Sequence, residues 1–154
     1  MRSRVEFVGR HYDGFLCDVG IGSGAFIELH GQSCGYDVCP AAIEWLKARH
    51  LWVDPYRMSF TAMSLWDVLE HIPEFWRLLR NVERWLFVSL PVFVDAKHAL
   101  RSKHFRSDEH CWYWTRDGLV QVMHSLGFHL IEENDSETKL GREDIGSFAF
   151  NKVV

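Results

Sequence analysis

Short runs rich in β-forming residues alternate with stretches of helical period along the chain. That alternation predicts a mostly parallel α/β sheet. Phe15 to Val19 reads as a first strand ending in a glycine-rich turn, with Ser23 to His30 as a short helix behind it. Ser33 to Tyr36 reads as a second strand. Pro40 to Arg49 follows as a helix with proline in its first turn. Leu51 to Val53 is a candidate for a very short third strand, and Phe60 to Leu65 for a fourth. Pro73 to Arg84 carries Phe75, Leu78, Leu79 and Val82 on one helical face. Trp85 to Leu90 reads as a fifth strand stopped by Pro91. Thr115 as N-cap and Gly127 past the C-terminus bracket an apolar helix, Leu119 to Leu126. Phe128 to Glu132 and Ser147 to Val153 alternate as two closing strands. Between them and the fifth strand, the stretch from 93 to 113 is polar, rich in histidine and without a clear period. Long stretches of that kind in a compact domain are often functional.

The sharpest chemical signal is Asp18-Val19-Gly20-Ile21-Gly22-Ser23-Gly24. Three alternate glycines let the backbone turn tightly and approach a ligand without Cβ clashes. A carboxylate ahead of the turn repels a pyrophosphate, which disfavours a nicotinamide oxidoreductase, and suits a cation such as an amino-acid ammonium. Asp37 stands 19 positions after Asp18, at the end of the second strand. A carboxylate near that distance can accept from both ribose hydroxyls. Asp54 follows the next short strand. It reads equally as an acceptor for an adenine amino group or as a turn residue before Pro55.

These residues belong to four segments that resemble class I S-adenosylmethionine-dependent methyltransferases over nearly the whole chain. The segments are LCDVGIGSGAF, GYDVCPAAIEWLK, MSLWDVLEHIPE and WLFVSLPVF…HCWYWTRDGLVQVMHSLGFHLIEEN. The third is similar to a segment of small-molecule methyltransferases, ubiquinone-type O-methyltransferases among them. The resemblance implies a Rossmann-like three-layer sandwich with a seven-stranded, mostly parallel sheet and one antiparallel strand. It implies S-adenosyl-L-methionine as cofactor and S-adenosylhomocysteine as product. Gly20, Gly22 and Gly24 would lie near the methionine part, Asp37 at the ribose and Trp66 near the adenosine, with Asp18, Ile21, Val38 and Asp54 as further cofactor-binding candidates. The chain departs from the family at Thr61, where an acidic residue is usual. Only 17 residues precede Asp18, so the N-terminal lid helices of the family are expected to be minimal.

Methyl transfer from a sulfonium is an in-line displacement, in which the protein positions the acceptor and, where needed, removes a proton. Asp67, Glu70 and His71 are spaced to share one face of a helical turn. His71 is a candidate base, with Glu70 orienting it. The same trio could hold a divalent metal, or Glu70 and His71 could simply brace the helix entry. His104 and His110 in the irregular stretch are further candidate catalytic groups, beside Trp112, Tyr113 and Trp114. A packed loop with exposed histidines is the plainer account of them.

Length and charge narrow the rest. The 154 residues suit a single domain spanning 1–154. A net charge of −4 argues against nucleic acid as partner and favours a small-molecule or sugar-type acceptor. The four cysteines have no zinc-site spacing and read as free thiols. No stretch has the length of a membrane span, which makes the cytoplasm the default compartment. A homodimer through the Trp76 and Trp85 region stays open, with burial of that region as the alternative. So does an accessory protein that binds the cofactor without transferring its methyl group.

Overall fold

The computed structural model describes residues 1–152, so the Val153 end of the last expected strand lies outside the described residues. Helix α1 (Arg2–Gly9) precedes strand β1 (Leu16–Val19). Helix α2 (Ala25–His30), β2 (Ser33–Tyr36), α3 (Pro40–Ala48) and β3 (Phe60–Trp66) follow. A single 3-10 turn, Leu69–His71, leads to α4 (Phe75–Leu79) and the long strand β4 (Val82–Phe93). The C-terminal part holds α5 (Ala96–Arg101), β5 (Trp114–Thr115), α6 (Arg116–Ser125), β6 (Phe128–Asn134), α7 (Ser136–Lys139) and β7 (Ile145–Lys152).

The strands form one seven-stranded sheet in the order β2-β1-β3-β4-β7-β6, with β5 pairing the far end of β4. Strand β7 runs antiparallel to both neighbours and the other pairings are parallel. Side chains alternate between two apolar layers, as the pleat demands. Cys17, Val19, Met63, Leu65, Leu86 and Val88 point to the side covered by α4 and α6. Leu16, Ala62, Trp66, Trp85 and Phe87 point to the side covered by α1 and α2. Buried on both faces, the central strands read as near-continuous apolar runs, as in parallel sheets generally.

Four expectations need correction. Leu51 to Val53 makes only a single parallel bridge, Gly35 with Trp52, and not a strand. The helix expected over Pro73 to Arg84 stops at Leu79. Asn81 breaks it by donating its side-chain amide to the Pro55 carbonyl at 2.8 Å, and Val82 to Arg84 join β4. Strand β4 also continues through Pro91. Beyond Ser89 it has left β3 behind, and Pro91 pairs only with Ile145 of β7. A proline is tolerated where one edge needs no N–H donor. The expected irregular stretch also contains α5, whose N-cap Asp95 accepts from the His98 N–H at 2.7 Å.

All four cysteines are free. Trp85 is buried, whereas Trp76 is partly exposed. Among the described residues no helix is long and apolar enough to cross a membrane.

Candidate active site

Strand β1 has β2 on one side and β3 on the other, and the chain leaves it in opposite directions. Ligands of open α/β sheets bind at the carboxyl ends of strands at such a switch point. A cleft of about 280 Å³ lies there, lined by Val19 and Gly20 after β1, Tyr36, Asp37 and Val38 after β2, Tyr56, and Val68, His71 and Ile72 after β3. That is near the lower end of ligand clefts, roughly 300–1,000 Å³.

The glycine turn has the geometry that its residues allow. Gly20, Gly22 and Gly24 all have positive φ, at 74°, 55° and 80°. A Cβ on Gly20 would stand 2.3 Å from Val68 Cγ2, and one on Gly24 2.8 Å from the Trp45 ring. A Cβ on Gly22 would meet nothing within 4 Å, so this glycine faces open space. Ile21 is buried against Ile27 and Leu46, as an anchor of the turn.

Asp37 ties the turn to β2. Its Oδ2 accepts from the Gly22 N–H at 3.0 Å and its Oδ1 from the Cys39 N–H at 2.8 Å. A carboxylate has about four acceptor positions, so two remain. Val38, next to it, is 80 % exposed on the cleft lining. Tyr36 and Tyr56 meet edge to face at 5.9 Å and form an aromatic wall.

Asp18 sits behind the turn on the opposite pleat. It pairs in register with Ser64 of β3, whose hydroxyl donates to Asp18 Oδ1 at 2.6 Å. The carboxyl is 1 % exposed, and its Oδ2 has no hydrogen-bond partner. Burial pushes it up to about 7, against the pull of the Ser64 hydrogen bond and the Arg4 charge.

Two cofactor candidates lie elsewhere. Trp66 is buried on the α1 side, 5.2 Å from the Phe26 ring and under the Arg4 guanidinium. It does not line the cleft, because residue 66 shares the pleat of Ala62 and not that of Leu65. Asp54 caps its own turn, accepting from the Tyr56 N–H at 3.0 Å and facing Arg57 at 3.3 Å. It thereby sets the position of Tyr56.

The acceptor-side candidates divide as well. Glu70 is 2 % exposed, its Oε2 has no partner, and burial pushes it up to about 7. Its backbone carbonyl accepts from the N–H groups of Cys111 and Trp112 at 2.8 and 3.2 Å. This pins the 109–112 segment onto the 3-10 turn. The rings of His71 and His110 consequently meet edge to face at 4.5 Å. Asp67 does not join them. At φ 61° it turns away and pairs with Arg4 at 2.8 Å and Arg142 at 2.9 Å. The expected trio of Asp67, Glu70 and His71 is therefore replaced by Glu70, His71 and His110. The ligand-type atoms of these three lie within 4.8 Å of one another. His104 is held elsewhere, its Nε2 on the Glu143 carbonyl at 2.9 Å.

Sequence reasoning missed Tyr36 and Tyr56, whose aromatic character beside Asp37 and Asp54 was the available signal. It also missed the ion cluster of Arg4, Asp67, Glu137 and Arg142, whose members are scattered along the chain.

The family profile described as a methyltransferase domain matches residues 1–133. No curated protein matches the chain by sequence. Solved structures share the fold at low identity. Magnesium protoporphyrin IX methyltransferase from Synechocystis PCC 6803 with bound SAH is 12% identical, with a TM-score of 0.68 over 99% of this chain and 81% of that one. A SAM dependent methyltransferase from Archaeoglobus fulgidus is 17% identical, with a TM-score of 0.68 over 98% and 92%. The cyclase SpnF is 15% identical, with a TM-score of 0.66 over 97% and 80%. With a match over most of its length and this switch-point cleft, the chain belongs to the methyltransferase domain family.

Proposed function

We propose that the protein transfers the methyl group of S-adenosyl-L-methionine to a hydroxyl-bearing small molecule. The observation that carries this reading is the joining of the glycine turn to Asp37 through the Gly22 hydrogen bond, within one cleft at the switch point. The residues fit the cofactor. Asp37 keeps acceptor positions for ribose hydroxyls, and Gly22 leaves its approach open. Tyr36, Tyr56 and Val38 offer an apolar wall for an adenine. Asp18 lies behind the glycine turn and not on the cleft lining, and its unpartnered Oδ2 is the carboxylate that an ammonium reaching past the glycines would pair with. S-adenosylmethionine supplies an electrophilic methyl group when bound.

The chain's own contribution is positioning and a proton acceptor. His71 lines the same cleft, with Nδ1 facing the Glu109 carbonyl at 3.0 Å. A carbonyl can only accept, so Nδ1 carries a proton, and in the neutral ring the lone pair is on Nε2. On this reading that nitrogen takes a proton from an acceptor entering beside Val68 and Ile72. The net charge of −4 favours a small acceptor over nucleic acid.

The test is production of S-adenosylhomocysteine when S-adenosylmethionine is offered with a panel of phenols, catechols and hydroxylated sugars. Turnover with one class, reduced in His71→Ala, supports the reading. Binding of the cofactor with no turnover on any class would favour the accessory role, and the likeness to a protein named a cyclase makes non-transfer chemistry the second reading.

A further inference from the structure

We propose that Glu70, His71 and His110 form a site for a divalent transition-metal ion whose open positions take the acceptor's hydroxyl oxygen. The inference rests on the methyltransferase reading for its acceptor, but the ion site stands on its own geometry.

Four observations carry it. The first is the convergence of one carboxylate and two imidazoles within 4.8 Å of one another. Ligands around an ion bound at roughly 2.0–2.2 Å need to close to somewhat shorter mutual distances, which small side-chain rotations supply. The second is Glu70 Oε2, a buried carboxylate oxygen without a hydrogen-bond partner. A buried polar atom of this kind is costly unless something satisfies it. The third is the orientation of His71. Its Nδ1 donates to the Glu109 carbonyl, which is the outer-shell contact that fixes a metal-binding imidazole with Nε2 forward. The fourth is the anchoring of the segment that carries His110, through the two hydrogen bonds from Cys111 and Trp112 to the Glu70 carbonyl. One backbone group of Glu70 thus sets the distance between two ligands that are 39 positions apart.

The donor set selects the ion class. Two imidazoles and one carboxylate suit zinc, iron, cobalt or manganese better than magnesium or calcium, which prefer all-oxygen shells. Three protein ligands also leave coordination positions open, as in catalytic sites. His71 also lines the cofactor cleft, so an oxygen bound at an open position beside it would border that cleft. Coordination lowers the pKa of that hydroxyl, its proton passes to solvent, and the resulting oxygen anion attacks the methyl carbon while the C–S bond breaks. With the ion in place, His71 is a ligand, and the ion takes over activation of the acceptor.

The experiment titrates chelator-stripped full-length protein with zinc chloride by calorimetry, and with cobalt chloride by visible absorption. One zinc per chain is expected, with affinity weakened at least about tenfold in His71→Ala and in His110→Ala. His124→Ala serves as control, because His124 pairs with His129 instead, and it should bind as the wild type does. His71 is exposed, so its variant should fold, and melting curves check this. No zinc binding by the wild type, or wild-type zinc affinity in both His71→Ala and His110→Ala, overturns the site. S-adenosylmethionine is titrated into the same stripped protein. Cofactor binding without zinc binding defeats the metal site alone, and zinc binding without cofactor binding defeats the methyltransferase reading alone.

Discussion

Asp37 Oδ2 accepts the Gly22 N–H at 3.0 Å, so the residue read as the ribose acceptor also fixes the turn meant for the methionine part. The same carboxylate holds the Cys39 N–H at the start of α3. Hydrogen bonds to a charged group contribute about 1.5–3 kcal/mol each. Asp37→Ala should therefore lower the melting temperature by several degrees and weaken S-adenosylmethionine binding by at least about tenfold. Thermal melting and calorimetry check the two effects separately. A variant that melts as the wild type does would show that the tie contributes nothing to stability.

Gly20 and Gly22 differ in what surrounds them, and their alanine variants should differ accordingly. Left-handed backbone costs a residue with a Cβ about 1–2 kcal/mol. Gly20→Ala adds a 2.3 Å clash with Val68, and should lose about 2 kcal/mol or more of stability. Gly22→Ala meets no neighbour and should lose about 1 kcal/mol, while its methyl group enters the cofactor's approach. Denaturant unfolding should rank Gly20→Ala as the less stable. Cofactor titration should show a loss in Gly22→Ala that exceeds its loss of stability.

Arg4 and Glu137 are both buried, 7 % and 5 % exposed, and form a two-point ion pair that joins α1 to α7. Arg142 contacts both Glu137 and Asp67. Removing one partner of a buried pair costs about 3–5 kcal/mol. Arg4→Met should fall near the low end, since Arg142 remains, with a drop in melting temperature of roughly 6–12 °C. Burial would raise the Glu137 carboxyl, but the Arg4 hydrogen bond and the two arginine charges hold it below its ordinary value of 4.5. A lowered carboxyl stabilises the fold fully above its unfolded value, and the contribution is lost as pH falls through the folded value. The gap between wild type and Arg4→Met should therefore be constant near neutral pH and shrink below about 4.5. A gap that widened in acid would contradict the pairing.

Asp18 gives cofactor binding a pH dependence. With its carboxyl pushed up to about 7 by burial, much of the ligand-free protein carries a proton there at pH 6. An ammonium beside Oδ2 favours the charged form, so binding releases that proton. Affinity should rise as pH increases from 6 to about 8. Asp18→Asn should bind more weakly and lose the slope. An unchanged slope in the variant would move the dependence to another group.

Much of this arrangement was legible in the sequence, because the local signals were strong. The glycine turn, Asp37 at the end of β2, and the Thr115 cap, which accepts from the Gly118 N–H at 3.1 Å, depend on neighbours in the chain. The rest depends on distant partners. Val82 to Arg84 continue a helical period, but Val82 pairs with Phe60 of β3 and the register slips over the next two residues before Trp85, which local pattern cannot reveal. Pro91 reads as a strand end until β3 is known to stop at Trp66. Trp66 lies next to the right segment but on the wrong pleat. Glu70 and His71 were singled out, yet Asp67 left for Arg4 and Arg142, across 63 and 75 positions, and His110 replaced it through a contact 39 positions long. Asp95 before an Ala-rich turn was a readable cap for α5 that the histidine content of the stretch obscured.

The most direct measurement of the central claim is calorimetric titration of the purified protein with S-adenosylmethionine and S-adenosylhomocysteine. One micromolar-range site for each, lost in Asp37→Ala while its circular dichroism stays native, is the predicted result. A folded wild type that takes up neither ligand at millimolar concentration would contradict the assignment of the switch-point cleft.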